Sequence, residues 1–183
     1  MIISLEKRKS SIGEYLLYMW QIEDSIRALS FDINKIEEVL INNYKVDDVK
    51  KKEIKGWYEN LILMMQKENK QKEGHLQFLL NLIDELNRFH LLLISKEVNS
   101  EYSQLYKEIL PDIDLIRQKS GRNHNDIETS LNTIYLILML KMKNQDISDG
   151  TQKAIWKFGN FLGHLSLLFK LYESGDLDLD DYE

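Results

Sequence analysis

The sequence predicts an all-α fold, a single-domain bundle of about seven helices. Apolar residues recur at positions i, i+3, i+4 and i+7 along most of the chain, which is the spacing of one face of an amphipathic helix. No stretch alternates apolar and polar residues as a half-buried strand does. The 183 residues include only one proline and eight glycines, the two residue types least compatible with a helix interior.

The first three helices are predicted before residue 68. An amphipathic pattern over residues 5–29 predicts the first. A short second helix is expected after Asp32 and a third from Asp47 to about Lys67, because an aspartate before a helix can accept hydrogen bonds from its first free backbone amides. Residues 67–74 are charged and lack apolar side chains, so they are the predicted loop.

Two helices are expected after this loop. The fourth covers about residues 75–95, and the fifth begins near Asn99 and ends before Gly121. Arg117 lies in the last turn of the fifth helix, where a cation complements the helix dipole. Pro111 lies inside the same helix and has no amide hydrogen, which predicts a kink or a break.

The sixth helix is predicted to be the buried centre of the bundle. It follows Asn125 and covers about residues 125–143, and its segment IYLILML, residues 134–140, is apolar on every side. A helix that is apolar all round is typical of one surrounded by others. The seventh helix is expected to begin after Ser148 and to end before Gly175.

The acidic residues are concentrated at the C-terminus. The formal net charge is −6, and five acids lie in the last eight residues, so residues 1–175 are nearly neutral. We expect residues 1–175 to form the domain and residues 176–183 to be a disordered tail, with docking on a basic partner as the alternative. Nucleic-acid binding is not expected despite the lysines within residues 48–55, because phosphate contacts need a basic surface.

Composition also limits the location and the chemistry of the protein. The chain has no cysteine, which excludes disulfides, thiolate metal sites and cysteine nucleophiles. The N-terminal residues contain no apolar run of the length found in signal peptides. The longest apolar run is about a third of what a bilayer span needs. We therefore expect a cytoplasmic protein without a membrane segment.

Two charged residues lie on the apolar side of the first helix. At about 100° per residue, Glu23 falls inside the apolar arc and Arg27 follows one turn later, whereas Gln21 and Ser25 fall on the opposite side. A buried carboxylate needs a partner, and Arg27 is the nearest candidate in the sequence. The pair is expected either to fix the packing of the helix or to form the floor of a pocket that holds an anionic or amide group.

Further polar residues lie on or beside apolar faces. His75 and His90 share the inner face of the fourth helix, and Arg117 borders an apolar stripe of the fifth. Each histidine is either a core residue or a ligand or base, but their separation, about 22 Å along a helix, prevents them from sharing one metal ion. Glu-x-x-His, His-x-x-x-His and Gly-rich phosphate-loop patterns are missing. No metal, cofactor or catalytic residue is therefore predicted.

The seventh helix contains two glycines four residues apart. Gly159 and Gly163 lie away from the apolar core stripe, on the side that carries Trp156 and Leu167. Each glycine costs a helix about 1 kcal/mol, and the close approach of another backbone would compensate. That neighbour is expected to be the sixth helix or a second subunit, and an exposed apolar strip would favour a homodimer.

Several segments carry a family resemblance: EYLLYMWQIEDSIRA (14–28), GWYENLILMM (56–65), EGHLQ (73–77), the helix 127–140 and DIS-x-x-T-x-x-AI (146–155). Together they resemble a bacterial family of about this length that is described only as a domain of unknown function. The resemblance covers nearly the whole chain and implies a complete, single-domain, all-helical cytoplasmic protein. The family has no assigned activity, cofactor or catalytic residue, so the resemblance assigns no site.

Two functions fit these observations. The first is a non-catalytic intracellular interaction protein that self-associates, because every catalytic spacing tested is missing and the seventh helix offers a surface. The alternative is a small-molecule-binding protein or enzyme with a polar pocket around Glu23, Arg27 and His90. This alternative requires the first and fourth helices to bring those side chains into contact.

Overall fold

The computed structural model describes residues 2–122 and 124–181. Within these residues it contains eight α-helices, two short 3₁₀ helices and no strand, which confirms the all-α fold class. The α-helices are α1 (Ile2–Ser10), α2 (Ile12–Ala28), α3 (Ile33–Val39), α4 (Asp48–Lys67), α5 (Gln77–Ser95), α6 (Ser100–Ser120), α7 (Asp126–Met142) and α8 (Asp149–Ser174). The 3₁₀ helices are Ile41–Asn43 and Leu179–Asp181. None of the described helices has the length and apolar character needed to cross a membrane.

The residues group into two compact units, each with its own buried core. The first unit comprises the residues up to 8 together with 14–81, and the second comprises 9–13 together with the residues from 82 onward. Fully buried side chains of the first unit include Leu16, Trp20, Ile26, Ile36, Ile41, Tyr58, Met65 and Leu76. Those of the second unit include Tyr102, Ile113, Ile127, Leu131, Phe158 and Phe161. The extent of the domain, residues 1–175, stays a prediction.

Polar caps place the starts of five helices where the sequence predicts them. Each cap side chain accepts a hydrogen bond from a backbone amide two or three residues further on, which satisfies an amide that the helix leaves free. The caps are Asp32, Asp47, Asn99, Asn125 and Ser148. Gly121 and Gly175 end α6 and α8 in the left-handed conformation, with φ of 64° and 79°, which glycine adopts without steric cost.

The predicted single helix over residues 5–29 is two helices in the structure, and this break accounts for the eighth helix. Ser11 separates α1 from α2, and serine favours helix ends because its hydroxyl competes for backbone hydrogen bonds. Gly13, in the first turn of α2, donates its free amide to Ser166 Oγ at 3.1 Å. A Cβ at Gly13 would lie only 3.1 Å from the same oxygen, so a larger residue here would require the Ser166 hydroxyl to shift.

Pro111 does not break its helix. α6 continues from Ser100 to Ser120 across the proline. A proline removes one backbone hydrogen bond, while Ile109 and Ile113 are buried on either side of it. Burial of both flanking turns therefore offsets the lost hydrogen bond and holds the two segments in one helix.

The predicted burial of the whole helix 125–143 is corrected for its C-terminal half. Ile127 and Leu131 of α7 are fully buried, but Leu136 is 64% exposed and Met142 is 69% exposed. α7 packs against α6 and α8, so its inner face is covered. The last turns of α7 carry apolar residues on all sides. Because α6 and α8 cover only part of this surface, the remaining apolar side chains are exposed.

The predicted tail, residues 176–183, contains one buried leucine among the residues that the structure describes. Of residues 176–183, the structure describes 176–181, and the last two lie outside the described residues. Leu179 is 7% exposed, and its carbonyl accepts a hydrogen bond from Lys96 Nζ at 3.0 Å. Leu179 thus packs within the second unit, whereas Asp176, Asp178 and Asp180 are exposed.

Candidate functional site

Glu23 is completely buried and binds the segment that leads into α5. Its Oε1 accepts the backbone amide of Leu76 at 2.8 Å, and its Oε2 lies 2.6 Å from Nδ1 of His75. An ionised carboxylate can only accept, so Nδ1 of His75 carries the hydrogen. Leu76 directly precedes α5, which places the negative charge at the positive end of the helix dipole. The ring of His75 also stacks on Trp20, with centroids 4.2 Å apart.

Arg27 binds the backbone of the same loop. Its Nε donates to the carbonyl of Lys70 at 3.1 Å, and its Nη2 donates to the carbonyl of Gly74. Its Nη1 pairs with Oδ1 of Asp24 at 2.7 Å. The guanidinium therefore fixes two loop carbonyls, and the more exposed Asp24 supplies the balancing charge.

Glu23, Arg27 and His75 form what we call the loop clamp, because they fasten residues 70–76 to α2. The inward position predicted for Glu23 is confirmed. Its predicted pairing with Arg27 is wrong, since Glu23 pairs with His75 and Arg27 with Asp24. A helical wheel shows neighbours on one helix only, and the true partner lies 52 residues further along the chain. The polar groups of the clamp are thus engaged with the loop, with each other or with Asp24, as in a structural connection.

A second polar cluster surrounds Asp126, the first residue of α7. Its Oδ2 accepts the hydroxyl of Tyr106 at 2.6 Å, and its Oδ1 pairs with Nη2 of Arg117. Nε2 of His90 lies 3.6 Å from Oδ2. We call these four residues together with Tyr102 the aspartate network. Arg117, predicted to border the core, is thus a partner of a carboxylate that the sequence analysis did not single out.

The orientation of His90 follows from its two neighbours. The ring is completely buried, and its Nδ1 lies 2.7 Å from the hydroxyl of Tyr102. Nε2 faces the carboxylate of Asp126, which can only accept, and this favours the ring hydrogen on Nε2; at 3.6 Å the contact exceeds a normal hydrogen bond and acts electrostatically. With the hydrogen on Nε2, Nδ1 is an acceptor for the hydroxyl of Tyr102, which keeps its hydrogen because burial raises the pKa of Tyr102.

The network keeps Asp126 ionised. His90, Tyr106 and Arg117 lower the pKa of Asp126 well below its ordinary value of 3.8, although burial acts in the opposite direction. A carboxyl whose pKa is lower in the folded than in the unfolded state stabilises the fold above the unfolded pKa. That stabilisation is lost as the pH falls through the folded pKa.

We therefore expect acid to destabilise the wild-type protein more than an Asp126→Asn variant. Between pH 4 and pH 2, the unfolding free energy of the wild type should fall more steeply, because only the wild type takes up a proton at this site on unfolding. Urea unfolding at a series of pH values measures the difference. Asp112→Asn, at a half-exposed carboxylate paired with Lys157, is the control, and equal acid slopes for wild type and Asp126→Asn would contradict the prediction.

The residues of the predicted polar pocket bond to different partners. Glu23 and Arg27 bind the loop before α5, whereas the polar neighbours of His90 are Tyr102 and Asp126. Among the residues that the structure describes, no three potential metal-binding side chains of the His, Asp and Glu types gather in one place. The sequence pattern does not single out Asp126, because a carboxylate in the first turn of a helix is usual and needs no buried partner.

The two glycines of α8 lie on an open surface. Trp156 is 63% exposed and Leu167 is 53% exposed, and Gly159 and Gly163 between them are also exposed. A Cβ built on either glycine meets no described atom within 4 Å, so α7 is not the close neighbour that the sequence left open. We call Trp156, Gly159, Gly163 and Leu167 the glycine strip.

A groove runs beside the glycine strip. Its volume is about 420 Å³, and it is lined by Glu101 and Leu105 of α6 and by Trp156, Gly159, Asn160, Gly163 and His164 of α8. His164 Nε2 lies 3.4 Å from Glu101 Oε2 at the edge of this groove. The glycines therefore form a floor between an aromatic and an aliphatic side chain.

Comparison with known families agrees with the resemblance seen in the sequence. Residues 1–176 match the family described as "Domain of unknown function (DUF4924)". No curated protein and no solved structure was found to match the chain. The family match covers all but the last seven residues and therefore includes the loop clamp, the aspartate network and the glycine strip. The chain belongs to this family of unknown function.

Proposed function

We propose that this chain is a non-catalytic helical interaction protein that self-associates through the glycine strip of α8. The observation that carries the proposal is the open space above Gly159 and Gly163. Two glycines weaken a helix by about 1 kcal/mol each relative to alanine, and no described part of the chain makes use of the missing side chains. A second molecule that packs closely on the glycines would compensate for this cost.

The exposed side chains support the same conclusion. Trp156 and Leu167 present large apolar surfaces on either side of the glycines. Tryptophan is enriched among the residues that contribute most to protein interfaces, and burial of such side chains drives association. The strip thus combines apolar area with a surface that allows two backbones to approach.

The alternative of a small-molecule pocket around Glu23, Arg27 and His90 has weaker support. The polar atoms of Glu23 and Arg27 are engaged within the loop clamp, and His90 lies inside the aspartate network. A groove of about 350 Å³ borders that network, but Arg117 and Asp126 on its wall already neutralise each other.

Gly159→Ala is expected to stabilise the folded monomer and to weaken self-association. Alanine raises helix propensity by about 1 kcal/mol and meets nothing in the monomer, whereas its methyl group would hold the second backbone away. Sedimentation equilibrium over about 1–100 µM protein measures association, and urea unfolding at low concentration measures stability.

Leu167→Ala provides a second comparison. It should also weaken association, while Leu63→Ala, at a leucine of similar exposure on α4, should not. A wild-type protein that stays monomeric over this concentration range would overturn the proposed function, as would equal association constants for Leu167→Ala and Leu63→Ala.

A further inference from the structure

The side chains of the glycine strip are arranged symmetrically about Gly163. Gly159 and Leu167 lie four residues before and after Gly163, and Trp156 and Lys170 lie seven residues before and after it. All five residues are exposed. Positions seven apart lie almost directly above one another on a helix, since seven residues make nearly two turns.

In a two-fold symmetric dimer, these residues would pair with residues of the partner subunit. In a homodimer the same surface patch serves both subunits. When two copies of α8 pack antiparallel with the axis beside Gly163, residues equally far from Gly163 on opposite sides come to the same level. Gly163 then meets the partner's Gly163, Gly159 meets the partner's Leu167, and Trp156 meets the partner's Lys170.

We propose that a second copy of this chain binds in this register, with the ammonium group of Lys170 on the indole ring of the partner's Trp156. The inference rests on the proposed self-association and names its geometry. In this contact a cation lies on the negative face of an aromatic ring. Because the dimer is two-fold symmetric, the contact occurs twice. Leu167 at the same time enters the groove above the partner's Gly159, between an aromatic and an aliphatic wall.

Other registers match the charges less well. A two-fold axis midway between Gly159 and Gly163 would bring Lys153 close to the level of the partner's Lys170. Symmetry would repeat this arrangement, so the dimer would contain two pairs of cations at matching levels. A parallel pair would set Lys170 beside the partner's Lys170. With the axis at Gly163, Lys170 lies instead at the level of the partner's Trp156, so this cation meets an aromatic ring.

Cysteine cross-linking tests the register directly. The chain has no cysteine, so each variant carries a single thiol. Gly163→Cys should form an intermolecular disulfide under mild oxidation, because only Cα atoms closer than about 7 Å can be bridged. Gly159→Cys should not, since in this register the two copies of residue 159 lie about 12 Å apart along the axis. Gly56→Cys, at an open glycine of α4, measures random cross-linking.

Charge variants test the cation and ring contact. Lys170→Met should weaken the dimer about tenfold, and Lys170→Arg should leave it unchanged or tighter, because arginine also stacks on tryptophan. In a Trp156→Leu background, Lys170→Met should have much less effect. Lys52→Met, an exposed lysine of α4, controls for the change of net charge.

The outcomes separate this geometry from the proposed function. A monomeric wild type would overturn both. A wild-type dimer in which Gly159→Cys and Gly163→Cys cross-link equally, or in which Lys170→Met and Lys52→Met behave alike, would overturn the register and leave self-association standing. Cross-linking confined to Gly163→Cys with a specific effect of Lys170→Met would support both.

Discussion

Glu23→Ala is expected to lower the free energy of unfolding by about 2–4 kcal/mol, because it removes a fully buried carboxylate that accepts two hydrogen bonds. The substitution removes the acceptor for the buried amide of Leu76 and the partner of His75. An unsatisfied buried donor alone costs about 1–3 kcal/mol. Loss of the carboxylate also removes a favourable charge from the start of α5. Urea unfolding at pH 7 measures the effect.

Two further variants separate the contributions to this loss. Glu23→Gln keeps an oxygen for the amide of Leu76 but loses the charge, so its destabilisation should fall between wild type and Glu23→Ala. Glu14→Ala removes an exposed carboxylate of the same helix that pairs with Lys7 at 3.0 Å and should cost less than about 1 kcal/mol. A loss below 1 kcal/mol for Glu23→Ala would show that the clamp contributes little to stability.

The clamp also shows what the sequence could and could not predict. The wheel placed Glu23 on the inner side of its helix because position within a helix depends on residue spacing alone. Its partner depends on how α2 meets the loop after α4, which no local pattern records. The same limit explains the aspartate network, whose members come from α5, α6 and α7.

Helix positions were more predictable than helix burial. Asp47, Asn125 and Ser148 act as caps through contacts with residues three positions away, so the sequence alone contains the cause. The burial of residues 134–140 could not be predicted in the same way, because apolar side chains on all sides of a helix do not indicate how many helices pack against it. Leu136 is exposed because the described neighbours α6 and α8 cover one side of α7.

The loop clamp and the aspartate network differ from the glycine strip in what their residues bind. The loop clamp and the aspartate network bind groups of their own units, so their substitution should act on stability. The glycine strip has no such use within the described residues, and its substitution should act on association. Stability and association measured on the same variants therefore test this division.

Asp126→Ala is expected to lower the unfolding free energy by about 3 kcal/mol at pH 7, since it leaves the partly buried Arg117 without its carboxylate and removes the acceptor of Tyr106. Asp112→Ala, whose carboxylate pairs with Lys157 at a half-exposed site, should cost under about 1 kcal/mol. The gap in unfolding free energy between Asp126→Ala and wild type should narrow as the pH falls below 3.8, because the wild type then takes up a proton at Asp126 on unfolding and the alanine variant does not. A gap that stays constant from pH 7 to pH 2 would show that packing of the side chain, and not its charge, stabilises this network.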